Sequence, residues 1–95
     1  MKYTRVTADG QVSTNASGAP VRLHTISIAP TTATPTAGLL SVYDSASETG
    51  TVIYSEWVFA TTPGHTIILD VDCYTGIYVG YDGTLANVSC TIAWQ

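Results

Sequence analysis

The chain reads as all-β: a single compact β-sandwich of seven to eight short antiparallel strands, jelly-roll or immunoglobulin-like. Three observations predict this. No segment carries apolar residues at helical spacing. Runs rich in Val, Ile, Thr and Tyr alternate apolar with polar residues and are cut by Gly, Pro or Asp-Gly. The length, 95 residues, suits one core that buries about 64% of the unfolded chain's surface. No linker or composition shift marks a second domain, so residues 1–95 form one unit.

Residues 3–8 read as a first strand. Asp9-Gly10 is a tight-turn dipeptide from which residues 11–14 return, so residues 1–14 are expected as an N-terminal arm or hairpin. Residues 15–18 are a loop. Residues 19–29 make a longer strand, with Val21 and Leu23 on one face and Ile26 and Ile28 on the other. That slip of phase predicts a bulge or a strand that changes sheets. Residues 30–36, with Pro30 and Pro35, read as an exposed loop.

Residues 38–44 set Leu40 and Val42 against Leu39 and Tyr43, and residues 45–50 turn the chain. Residues 51–59 alternate Val52, Tyr54 and Glu56 with Ile53, Ser55 and Trp57. After Thr62-Pro63-Gly64, residues 65–73 show the cleanest alternation. Ile67, Leu69, Val71 and Cys73 oppose Ile68, Asp70 and Asp72, the pattern of a strand buried on one face. Residues 77–81, the turn Asp82-Gly83 and residues 84–94 read as a last hairpin. It would place Tyr81 opposite Thr84, Val79 opposite Ala86 and Ile77 opposite Val88.

Charged residues are 11% of the chain, against about 25% in ordinary domains. Sixteen Thr and eight Ser supply the polarity instead. Such hydroxyl-rich surface costs less to dehydrate than charge and suits burial in an assembly. The few charges are segregated. Residues 1–22 hold all three cations, Lys2, Arg5 and Arg22, with the single acid Asp9. Residues 23–95 hold six acids and no Lys or Arg, and the whole chain carries a net charge of −4. Lys2, Tyr3, Arg5 and Arg22 are therefore the candidate partner-binding residues, poised for an acidic surface. The acidic balance argues against nucleic acid as a partner. No apolar run is long enough for a membrane-spanning helix, so no membrane association is expected. Nor does an apolar run follow the charged residues 1–5, which points to synthesis in a cytoplasm. Without a secretory signal, the sequons Asn15-Ala16-Ser17 and Asn87-Val88-Ser89 read as coincidence.

Candidate chemistry is thin. Asp70-Val71-Asp72 puts two carboxylates on one strand face about 7 Å apart. That spacing suits a Ca²⁺ ion or an acid–base pair. It equally suits a solvent-facing strand whose charges discourage edge pairing, and no Asx-rich calcium loop accompanies it. His24 and His65 lack a Gly-x-Ser-x-Gly elbow, and the spacings of His and Cys fit no zinc site. Cys73 and Cys90 are expected as buried free thiols, a disulfide staying open if residues 74–76 bulge. Tyr43, Tyr54, Trp57, Phe59, Tyr74, Tyr78, Tyr81 and Trp94 serve either as core and interface anchors or as a sugar-stacking face. The expectation is no catalytic residue, no metal ligand and no cofactor.

From residue 38 onward the landmarks are Leu40-Ser41-Val42-Tyr43-Asp44-Ser45, Gly50-Thr51-Val52-Ile53-Tyr54, Pro63-Gly64, Gly76-Ile77-Tyr78-Val79 and Gly83-Thr84. With Tyr3-Thr4-Arg5-Val6-Thr7 and Asp9-Gly10-Gln11-Val12 they cover most of the chain. In this order the chain resembles small bacteriophage virion proteins of β-sandwich type. The resemblance implies a non-enzymatic virion component, made in the host cytoplasm, most plausibly a head decoration or cement protein. Its implied partners are the major capsid protein or other virion subunits, and it implies a homo-oligomer, trimer or dimer. The alternatives are a neck or tail component, or a carbohydrate-binding or host-recognition module.

Overall fold

Apolar alternation needs a second layer to bury each strand's inner face, and the chain supplies two layers. The structure, a computed structural model, describes residues 1–14, 20–32 and 34–95. Eight strands lie among them: β1 (Lys2–Val6), β2 (Gly10–Thr14), β3 (Val21–Pro30), β4 (Gly38–Asp44), β5 (Thr51–Val58), β6 (His65–Cys73), β7 (Gly76–Asp82) and β8 (Val88–Trp94). Sheet A has the order β1-β8-β3-β6 and sheet B the order β2-β7-β4-β5, with every pair antiparallel. The pairs nest: β4 with β5, β3 with β6, β2 with β7, β1 with β8. One long hairpin tipped by β4 and β5 is rolled so that successive pairs fall into opposite sheets, which is jelly-roll topology. That order decides against the immunoglobulin-like alternative.

The core lies between the sheets. Leu23, Ile26, Ile28, Val88, Cys90 and Ile92 enter from sheet A, and Leu40, Val42, Ile77 and Val79 from sheet B; all are at most 2% exposed. Cys73 and Cys90 are both buried and form no disulfide, as expected. Burial pushes the Cys73 thiol up to about 11, with the Asp44 and Asp72 charges adding to it, and the Cys90 thiol up to about 12. The expected loop at 15–18, the first residue of the 19–29 strand and the sequon Asn15-Ala16-Ser17 lie outside the described residues. The described residues of 30–36 are exposed as expected, except Pro35. Pro30 ends β3, Pro35 is buried, and Thr36 bridges to Ala86.

Two expected hairpins are absent. β1 and β2 sit in opposite sheets, so residues 1–14 are neither a free arm nor a hairpin. Likewise β7 and β8 never pair; Tyr81 lies opposite Leu40, Val79 opposite Gly10 and Val42, and Ile77 opposite Ser13. Both Asp-Gly sites do reverse the chain, but across the sandwich. At the second, Gly83 takes φ 69° and Leu85 drops into the core at 8% exposure. The crossing presses on Gly38, where a Cβ would run into the Leu85 backbone nitrogen and the Asp82 carbonyl. Only glycine fits that approach.

The phase slip in β3 is a bulge. Between Leu23 and Thr25, β3 advances two residues while β8 advances one, from Trp94 to Ala93, and β6 advances three, from Val71 to Ile68. His24 is the extra residue against β8. β6 in turn carries an extra residue against β3, with Asp70 at φ 51°, a conformation short polar residues tolerate. The offset turns Leu23, Ile26 and Ile28 all inward.

Candidate functional site

Directly opposed strand residues share a face, so the register assigns the outer face of sheet A. One row is Tyr3, Ala93, Thr25 and Ile68; the next is Arg5, Thr91, Ser27 and Thr66. Ser89 and Ala29 continue it. The middle is therefore Ala, Ser and Thr. At its rims Tyr3 is 71% and Ile68 is 74% exposed. Several floor hydroxyls already have partners: Ser27 Oγ and Thr66 Oγ1 are 3.0 Å apart, and Ser89 Oγ donates to the Ala29 carbonyl at 3.2 Å. Hydroxyls bonded within the sheet lose little when water leaves.

The four candidate partner-binding residues divide. Tyr3 and Arg5 are exposed on this outer face. Arg22 reaches it two strands away, in an ion pair with Asp72 at 3.1 Å. Lys2 does not join them. It lies in the inner row with Trp94 and Leu23, its Nζ 4.7 Å from the Trp94 ring centre. Trp94 Nε1 donates to Thr4 Oγ1 at 3.1 Å. Of the three cations, Arg5 is the one on this face that forms no ion pair among the described residues. The expected N-terminal basic cluster is thus spread across the sheet.

Beside Arg22, the bulge turns His24 onto Asp70, with Nδ1 2.8 Å from Oδ1, and its Nε2 lies 3.2 Å from Gln95 Oε1. His65, at the other end of β6, donates from Nδ1 to the Pro63 carbonyl at 2.9 Å and, as the imidazolium, from Nε2 to Glu56 at 2.8 Å. Glu56 also accepts from the Tyr54 hydroxyl at 2.6 Å. The Glu56 carboxylate and the Pro63 carbonyl hold His65 above its ordinary value against the effect of burial. Burial raises Glu56, but the Tyr54 and His65 hydrogen bonds outweigh it and hold the carboxyl low. These bonds clasp sheet B to sheet A beside the β5–β6 connection. Each imidazole thus has both ring nitrogens engaged, by a carboxylate on one side and an amide or backbone carbonyl oxygen on the other.

No family model, curated protein or solved structure matches this chain.

On the outer face of sheet B, Glu48 lies over Gly80 near Asp9 and Asp82. The Asp9 side chain, loss of water and the two neighbouring negative charges push its carboxyl up to about 7. Trp57 and Phe59, 51% and 58% exposed, meet edge to face at 63° and do not present one plane for a sugar ring. In the sequence Asp44 marks only the end of a strand. Its carboxylate accepts the backbone N–H groups of Tyr74, Thr75 and Gly76 at 3.1, 2.8 and 3.2 Å. Burial raises its pKa, yet these three bonds carry it below the usual value. An acid thirty residues upstream of the turn it caps leaves no local signal. The sheet A face was equally hidden, because its rows join residues from four distant strands.

Proposed function

We propose that this protein is a non-enzymatic bacteriophage virion subunit, a capsid decoration or cement protein that seats the outer face of sheet A on assembled shell subunits. The observation that carries the reading is that face: an Ala, Ser and Thr floor with internally bonded hydroxyls, between exposed Tyr3 and Ile68. Interfaces concentrate their hold in a few apolar anchors within a surface that dehydrates readily. Arg5 at the rim adds steering toward an acidic partner. The resemblance of the turn and strand landmarks to phage virion proteins supports the same class.

The test is binding of purified protein to assembled shells. Thr25→Glu and Thr91→Glu, which place an unpaired charge on the floor, are expected to abolish binding, while Thr61→Glu in the β5–β6 connection leaves it intact. Shell binding unchanged by the floor variants, or virions without this chain by quantitative mass spectrometry, would overturn the proposal. Binding on a glycan array that is lost in Trp57→Ala would favour a carbohydrate-recognition module instead.

A further inference from the structure

The sandwich has four edge strands, β1 and β6 in sheet A and β2 and β5 in sheet B. An edge offers unpaired N–H and C=O groups to any further strand unless something blocks it. β1 is five residues long and carries Lys2 and Arg5. β2 is equally short and loses register between Gln11 and Ser13. β6 bulges, has Asp70 at φ 51° and displays Asp70 and Asp72.

β5 is different. It runs eight residues, Thr-Val-Ile-Tyr-Ser-Glu-Trp-Val, six of them of types favoured in strands. Its register irregularity falls at Ile53, which leaves residues 54–58 regularly paired to β4. Its one charged side chain, Glu56, shares the inner face with buried Leu40. There Tyr54 and His65 hold it. What faces outward is uncharged: Val52 and Trp57, each 51% exposed, and exposed Ser55.

We propose that β5 pairs with β5 of a second copy, antiparallel about a two-fold axis, joining the two B sheets into one of eight strands. The chemistry favours a second copy as the occupant. No like charges meet along the edge. A strand paired with itself closes at two, whereas head-to-tail pairing leaves an edge open. Centring the axis on Ser55 sets Tyr54 opposite Glu56 of the second copy, inner face to inner face, with Trp57 flanking. The axis is perpendicular to the sheet, so the outer faces of both A sheets point the same way. The pairing stands independently of shell binding, but would give that binding two seats per particle site.

Light scattering of the purified chain is expected to give twice the 10.0 kDa chain mass. Ser55→Lys, which sets two cations against each other at the axis, is expected to give the single-chain mass with an unchanged circular dichroism spectrum. Ser55→Cys is expected to form a disulfide-linked dimer under mild oxidant, while Thr66→Cys on β6 does not. A monomeric wild type, a larger oligomer, a dimer that survives Ser55→Lys, or cross-linking through residue 66 and not 55 would each overturn the pairing. Should Ser55→Lys fail to fold, the wild-type mass and the cysteine pair decide.

Discussion

Tyr81 ties sheet B to sheet A through its hydroxyl, which lies within reach of two carbonyls, and removing that oxygen tests how far the rolled topology depends on it. Its ring belongs to β7 in sheet B, opposite Leu40. Its hydroxyl reaches the Val88 carbonyl at 2.8 Å and the Val6 carbonyl at 3.1 Å, both in sheet A. The β1–β8 ladder ends at Val6 and Cys90, short of Val88, so the Tyr81 hydroxyl supplies a donor that β1 does not reach to give. Its N–H meanwhile donates to Asp9 in the β1–β2 crossing. Burial keeps the phenol well above its ordinary value, so it stays a donor throughout the working pH range. Tyr81→Phe keeps the ring and the N–H bond but leaves the Val88 carbonyl without its donor. An unsatisfied buried acceptor costs about 1–3 kcal/mol; the site is only partly buried, which places the expected loss at about 1–2 kcal/mol. For a domain of this size that lowers Tm by about 5–15 °C. Urea unfolding should show a lower midpoint with an unchanged slope. A loss below about 0.5 kcal/mol would refute the reasoning, because the carbonyl would then have been satisfied by water.

Gly38→Ala should destabilise the fold by about 3 kcal/mol or more, since its Cβ would meet backbone rather than a movable side chain; the urea midpoint reads it. Asp44→Asn keeps the shape but weakens the charge-assisted cap on the β6–β7 connection. It should cost about 1–2 kcal/mol at pH 7 and flatten the loss of stability in acid, because the native carboxyl titrates low. The pH profile has a sign. His65 is raised in the folded chain, so its contribution is complete below about 6.5 and is lost as pH rises through the folded value. Glu48 acts in the same direction, its contribution complete below 4.5 and lost as pH rises through about 7. Glu56, held low, contributes above 4.5 and loses that as pH falls through its folded value. Urea midpoints should therefore peak at mildly acidic pH and decline toward pH 8, and His65→Gln together with Glu48→Gln should remove the decline.

The strands were legible because side-chain alternation is a local property. The 38–44 and 65–73 strands agree with β4 and β6 end to end, and the slip between Leu23 and Ile26 marks a real bulge. Pairing was not legible. An Asp-Gly dipeptide states that the chain reverses, but not whether the returning strand stays in the same sheet or enters the opposite one. At Asp82-Gly83 that choice is made by Leu85 filling the core against Gly38 and by Tyr81 reaching Val6 and Val88. Gly38 and Val6 are both more than forty residues away in sequence. The candidate site shared this fate: Tyr3 and Arg5 were found by their charge and position, whereas Thr25, Thr91 and Ile68 acquire meaning only once four strands lie side by side.

The nesting of strand pairs also sets an order of assembly. Of the paired strands only β4 and β5 are consecutive in the chain, so their association costs the least loop entropy. Once they meet, β3 and β6 are brought within reach, then β2 and β7, and finally the two ends of the chain. A rolled hairpin of this kind is rich in long-range pairs and belongs among the slow folders. β1 and β8 come from opposite ends of the chain, so in this nested order β1 docks last. Until it does, the growing chain carries an uncovered β8 flank, and the time spent there governs how many newly made copies reach the native sandwich rather than each other.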